Sequence, residues 1–466
     1  MSSRSLIVIS DLHISSGPLD DCDPELEEAL VSFVSELSRR ATAVELVING
    51  DFLDFVQASP WQDSEFESVS GDGIPLCFTE EQSRTKLESI CQAHSRIFQA
   101  LTELLASSSD NRLTIIPGNH DADLFWPSVR ESLAARISGG SVRASNQLRF
   151  VLERTYRPPE FERIWVEHGH QYDPVNSFFV GGESRWATLS PPIFVDRQGE
   201  KRLYECIGTR FLLRFLNGLD HSYPFVDNVK PFSRFLRIFG ASALVPGRGP
   251  IKAAVAVWSM LRYLGRTAVT APGELLSLAK DGGQSALATF VKEMSEAERA
   301  EFARQLRARG LDLDRPLTLY LRDPERLDHA MEFLADNLQL LDAFADDESA
   351  YLSLSGEPGT LKLGKAFLVD ETEELIRAAD KILKDHSVAA VLMGHTHEVV
   401  KDRWKDGYMN SGCWMRYWQL DNSQDPRPWS ILRSDSFRLF PYQLNYIEVA
   451  GTTGLPKFTT FREKSS

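Results

Sequence analysis

The chain has little of what would assign it quickly to a special class. Five cysteines among 466 residues are odd in number and show no CxxC spacing, so neither a disulfide framework nor a zinc ribbon is suggested. Low-complexity stretches are absent. The longest near-continuous apolar run, Ala253 to Leu261, falls well short of the roughly 18 residues that a spanning helix needs, and the N-terminus lacks the apolar core of a secretory signal. A cytoplasmic protein is therefore expected. Positive charge is scarce too: 51 Lys and Arg against 66 Asp and Glu leave a net charge of −15, which argues against generic nucleic-acid binding through clustered cations. What remains is an ordinary globular composition, 42% hydrophobic and 25% charged, in a chain long enough for two to three domains or one core with a large insertion.

The first 120 residues alternate short β-rich runs with amphipathic stretches, the pattern of parallel βαβ units. Leu6 to Ser10, Val44 to Asn49 and Leu113 to Pro117 read as strands. Asp23 as N-cap and Pro24 at the first helical position open a helix with Leu26, Leu30, Val34 and Leu37 at helical spacing. A second helix is expected from about Glu80 to Leu105, after a Ser-, Gly- and acid-rich surface loop or lid at Gln57 to Phe78. Further strands are expected at Ile164 to Glu167, Val388 to Met393 and Asn445 to Val449, with a helix at Glu371 to Lys384. Between about 178 and 365 the texture becomes aromatic, Arg-rich and helical, as in a large insertion into an α/β core, with amphipathic helices at Ser295 to Arg309 and Pro324 to Phe344. Residues 1–177 and 366–455 then form the core, 178–365 a mainly helical insertion or cap, and 456–466 a C-terminal tail.

Histidine is also scarce, and its placement is informative. Of ten histidines, six lie in four short clusters: Asp11-Leu12-His13, Gly118-Asn119-His120-Asp121, His168-Gly169-His170 and Gly394-His395-Thr396-His397. A fifth cluster, Gly50-Asp51-Phe52-Leu53-Asp54, adds carboxylates. Each follows an expected strand, and in parallel α/β folds the carboxyl ends of strands are where ligands bind. If the chain there is extended, residues i and i+2 point to the same side, so Asp-x-His and His-x-His can each reach one metal. Carboxylate, imidazole and one amide oxygen suit Mn, Fe or Zn better than Mg or Ca. Taken singly, every cluster can also be a turn or helix cap, with Gly supplying positive φ; their joint occurrence in this order is far harder to explain that way.

The ordered set resembles the calcineurin-like metallophosphoesterase superfamily, whose pattern runs DxH, GDxxD, GNH(D/E), H and GHxH. The resemblance covers residues 4–175 and about 367–450. It implies an αββα sandwich and two divalent or trivalent metal ions. Asp11, His13, Asp51 and His397 would hold the first ion and Asp51, Asn119, His168 and His395 the second, with a bridging hydroxide attacking phosphorus in line. It also implies that His120 binds the phosphate or protonates the leaving oxygen, with Asp54 orienting its ring. Asp121 and His170 would lie around the ligands, His170 being also an alternative ligand. Asn410-Ser411-Gly412 resembles the family's Asn-x-Gly turn. The implied activity is hydrolysis of a phosphomonoester, phosphodiester or pyrophosphate, with a nuclease on the same core or a catalytically silent scaffold as alternatives.

Substrate choice is expected to lie in the insertion. From Arg197 to Arg266 the segment is net +8, within a chain of net −15. If Ile251 to Arg266 is one helix, Lys252, Arg262 and Arg266 fall within an arc of roughly 80° opposite an apolar face. Such a helix can contact an anionic substrate or lie peripherally on an anionic membrane; equally, it can be a cap whose Arg stems cover its own core. Within the superfamily this basic, hydrophobic insertion is somewhat similar to the UDP-2,3-diacylglucosamine hydrolases. Those enzymes are much shorter and typically carry Arg where this chain has His120.

Overall fold

A computed structural model describes residues 4–58, 78–209, 228–230, 371–419 and 439–464, apart from short breaks at 18–19, 174, 181–182, 197, 207, 402–405 and 452–453. Residues 59–77 of the expected loop or lid, the helices expected at 295–309 and 324–344, and Lys252, Arg262 and Arg266 lie outside the described residues.

The N-terminal part runs β1 (Ser5–Ile9), α1 (Pro24–Ser38), β2 (Val44–Asn49), α2 (Glu80–Ala93), α3 (Ser95–Ser107), β3 (Arg112–Ile116), α4 (Pro127–Ser138), α5 (Val142–Gln147), β4 (Leu148–Phe150) and β5 (Ile164–Val166). Short strands follow: β6 (Phe179–Val180), β7 (Glu183–Ser184), β8 (Ile193–Val195), β9 (Lys201–Leu203) and β10 (Val229–Lys230). The C-terminal part supplies α6 (Glu371–Asp385), β11 (Ala390–Met393), β12 (Val399–Val400), β13 (Tyr408–Ser411), β14 (Trp418–Gln419), β15 (Tyr442–Ala450) and β16 (Lys457–Lys464).

Two main sheets result, a six-stranded one ordered β16-β15-β1-β2-β3-β4 and a four-stranded one ordered β12-β13-β11-β5. β1 to β4 pair in parallel, β15 runs antiparallel to β1, and β11 pairs in parallel with both β5 and β13. β1 shows why the layers form. Its uninterrupted apolar run points Ile7 and Ile9 into a core shared with α1, α3 and α4, and Leu6 and Val8 into a second core shared with Ile164, Val166, Ala390 and Leu392 of the other sheet. A strand covered on both faces must be apolar at every position. On the far face of the second sheet, Val391, Met393 and Tyr408 pack against Leu375, Ala379 and Ile382 of α6. The layers are thus helix, sheet, sheet, helix, an αββα sandwich, in which each fully buried Leu, Ile or Val contributes about 1.5–3 kcal/mol. Among the described residues, no helix is long and apolar enough to cross a membrane.

Three expectations need correction. The helix expected over 80–105 is two, broken at His94, whose φ of −116° and ψ of 40° are not helical and whose ring lies between Asp20 and Glu27. The segment assigned to a C-terminal tail holds β16, paired along its length with β15; its Phe and Thr residues favour a strand, but they do not alternate strictly with polar ones. The boundary at 178 is also too early. Phe178, Trp186, Leu203 and Cys206 belong to the first core, and this stretch is built of strand pairs β6-β7 and β8-β9, not helices.

Candidate metal centre

The ends of β1, β2, β3, β5 and β11 deliver the five motifs to one place. Backbone hydrogen bonds bind the loops together: Leu12 and His13 N–H donate to the Asp51 carbonyl at 2.8 and 3.0 Å, Gly394 N–H to the His168 carbonyl at 2.9 Å, and Trp414 N–H to the Asp11 carbonyl at 2.9 Å. The His395 N–H donates to the Asp11 carboxylate at 2.9 Å, joining motifs 384 residues apart.

The extended geometry expected for Asp-x-His and His-x-His is not what presents these side chains. Asp11, His13, Asp51, His395 and His397 have φ of 55°, 46°, 48°, 72° and 60°, and no other described non-glycine residue has positive φ. Left-handed backbone costs about 1–3 kcal/mol at such residues and persists only where the surroundings enforce it. The i, i+2 spacing is right, but tight left-handed turns place the side chains. Neighbouring glycines permit the crowding. A Cβ on Gly50 would fall 2.1 Å from His168 Nδ1, and one on Gly118 2.2 Å from Asp51 Oδ1.

The assembled ligand-type atoms form three overlapping groups, of which two share Asp51 and the third joins His13, Asp54 and His120. Asp11, His13, Asp51 and His397 can bring one atom each within 4.8 Å of one another, as can Asp51, His168 and His395. In the first group, His13 Nε2 lies 3.0 Å from His397 Nε2 and 3.7 Å from Asp51 Oδ2, and His397 Nε2 lies 3.4 Å from Asp11 Oδ1. Donors around a cation with bonds near 2.1 Å stand about 3–3.5 Å apart. In the second group, His168 Nε2 is 3.2 Å from Asp51 Oδ2. The remote nitrogen of each second-group imidazole is occupied: His168 Nδ1 contacts the Asn49 carbonyl at 2.9 Å, and His395 Nε2 contacts Asp173 Oδ2 at 3.0 Å. Their other nitrogens, His168 Nε2 and His395 Nδ1, are buried without a hydrogen-bond partner, and so is Asn119 Oδ1. Buried polar atoms are almost always satisfied. Three orphan atoms beside an ionised carboxylate therefore fit a cation.

The electrostatics agree. Burial alone would raise Asp51, but the His168 and His120 imidazoles hold its carboxyl well below the usual range. Asp54, opposed by burial in the same way, is lowered by His120 and His13. Its Oδ2 lies 2.9 Å from His120 Nδ1 and 3.3 Å from His13 Nδ1, so one carboxylate steadies both rings. His120 also donates its backbone N–H to Asp51 Oδ1 at 2.9 Å and remains partly exposed.

Asp121 accepts from Phe52 N–H at 2.9 Å and from Gly118 N–H, tying the second and third motif loops together. His170 joins neither ligand group. Burial, with the neighbouring imidazoles adding to it, holds it neutral, and its ring packs 4.3 Å from that of Trp186 with neither nitrogen hydrogen-bonded. Asn410 is structural: its amide donates to the Gly394 carbonyl at 2.8 Å and accepts from Gly412 N–H at 2.9 Å. Sequence reasoning did not single out Asp173, the partner of His395, nor Ser10, which donates to the Asp11 carboxylate. No motif marks either residue; the only signal for Asp173 is a carboxylate five residues beyond His168.

An αββα core with a buried Asp/His cluster at its strand ends has the architecture of a metallophosphoesterase. Residues 4–190 match the family model of the calcineurin-like phosphoesterases. The match runs past 178, in keeping with the strand pairs packed on the core. Neither a search of curated proteins nor one of solved structures returned a match.

Proposed function

We propose that this protein is a dinuclear-metal phosphoesterase that hydrolyses phosphomonoester, phosphodiester or pyrophosphate bonds. The observation that carries this reading is the pair of ligand-type groups sharing buried Asp51, with Asn119 Oδ1 and His395 Nδ1 buried there without a hydrogen bond. Asp11, His13, Asp51 and His397 would hold one ion, and Asp51, Asn119, His168 and His395 the other. The mixed nitrogen and oxygen donors favour Mn, Fe or Zn. A pair of such ions supplies Lewis-acid polarisation of the phosphoryl oxygens and makes a nucleophile available at neutral pH.

The chain's own residues do the rest. Asp51, which belongs to both groups, would serve both positions. Asp54 accepts from His120 Nδ1 and so orients the ring that is to hydrogen-bond the phosphate or give a proton to the leaving oxygen. Because Asp54 also faces His13, the acid-base residue and the metal-binding residue are held in fixed relation.

Asp51→Asn and His395→Ala test the reading with p-nitrophenyl phosphate and its bis ester in the presence of Mn. Losing several kcal/mol of charge stabilisation is expected to lower kcat/KM by at least about 10³-fold, with circular dichroism and melting cooperativity retained. Full metal-dependent activity in both folded variants would show the assignment to be wrong.

A further inference from the structure

The geometry points to Asp173 as a positioning residue that prepares the second metal position by fixing the orientation and tautomer of His395, an inference that rests on the dinuclear reading above. The carboxylate arrives by a short path. After His168, Gly169 takes φ of 115°, and a 3-10 turn over His170–Tyr172 brings Asp173 back toward the GHTH loop. There its Oδ2 stands 3.0 Å from His395 Nε2, across 222 residues of sequence.

Asp173 is itself held. Its Oδ1 accepts from Val175 N–H at 2.8 Å, and Oδ2 also accepts from the Asn176 amide at 2.6 Å. An ionised carboxylate can only accept, so the proton shared with His395 sits on Nε2 and the lone pair on Nδ1. That is the atom left without a hydrogen-bond partner. The two imidazoles of this position are therefore unlike. His168 is backed by a neutral carbonyl, that of Asn49 at 2.9 Å, whereas His395 is backed by a buried anion. A carboxylate behind an imidazole raises its basicity as a ligand and fixes its ring, and removing such a partner typically lowers metal affinity about 10–100-fold.

The test uses the full chain, stripped by chelator and titrated with Co²⁺, with uptake followed by calorimetry, elemental analysis and the visible spectrum of the bound ion. The wild type is expected to take up two ions. In Asp173→Ala, one binding step should weaken about 10–100-fold and its visible band should change, while the other step stays within about twofold. Asp173→Asn keeps a carbonyl acceptor and should recover part of the loss. Uptake of fewer than two ions by the wild type would overturn the dinuclear reading itself. Two ions in the wild type, with both affinities unchanged in Asp173→Ala, would overturn the role of Asp173 alone. So would equal weakening of both steps, or unfolding of both metal-free variants, since each would make the residue a general structural support.

Discussion

Two clusters in this protein both set carboxylates against imidazole, yet they solve opposite problems. One is the strand-end group around Asp51. The other joins the start of α1 to the α2–α3 break and to the C-terminal strands. In that second group His94 lies between Asp20 at 2.6 Å and Glu27 at 3.2 Å, and buried Arg416 donates to Asp23 at 2.6 Å and to Glu25. Tyr442 and Lys464 also donate to Glu25, each at 2.9 Å. Acids here meet their own bases, and Asp23 and His94 sit at ordinary negative φ. Around Asp51, by contrast, His13 and His397 turn nitrogens toward each other, buried polar atoms such as Asn119 Oδ1 and His395 Nδ1 lack hydrogen bonds, and five residues accept left-handed backbone. Composition does not separate a clamp from a ligand site. Partner accounting and backbone strain do.

The comparison is sharpest if damage to each cluster moves a different measurement. His120 lies outside the two ligand sets that share Asp51, so His120→Ala should cut kcat on p-nitrophenyl phosphate by about 10²–10⁴-fold while metal content and melting temperature stay near wild type. Unchanged kcat would remove its acid-base role. Arg416→Met belongs to the other cluster. It leaves Asp23 without its buried cation, and loss of about 3 kcal/mol in urea unfolding is expected, the half-exposed Glu25 adding little through screening. Metal stoichiometry and turnover per folded molecule should not change. If Arg416→Met instead lost metal, the two clusters would be one functional unit.

Much of the first cluster was legible because its motifs carry local physics: a short apolar strand, then glycine, then carboxylate or imidazole. The start of α1 was legible for the same reason, since Asp23 accepts from Glu25 and Leu26 N–H just before Pro24. The second cluster was not, because its partners lie far apart. His94 reads as one more helical residue until Asp20 and Glu27 are brought to it, and Asp173 reads as a solvated acid until β11 delivers His395. The left-handed turns were hidden too, because an i, i+2 spacing looks alike in a strand and in such a turn. Strand β16 fails for want of apolar alternation: it is an edge strand whose register comes from β15.

The smallest expected effect tests the clamp by its titration. Burial alone would lower the His94 pKa, but Asp20 and Glu27 raise it above its ordinary value of 6.5. With both ring nitrogens facing carboxylates, Asp20 from the segment before α1 and Glu27 from α1 itself, the charged imidazolium is the form that satisfies the contacts. A folded pKa above the unfolded one means that protonation favours the folded state. The contribution is fully present below about pH 6.5 and is lost as pH rises through the raised folded value. His94→Gln should therefore lower unfolding free energy by about 1 kcal/mol near pH 6, and the gap from wild type should shrink steadily toward pH 9. Denaturant melts of the metal-free proteins across that range would decide it. A pH-independent gap would mean that His94 acts as a neutral hydrogen-bonding spacer, and the charge pairing of the second cluster would then rest on Arg416 and Lys464.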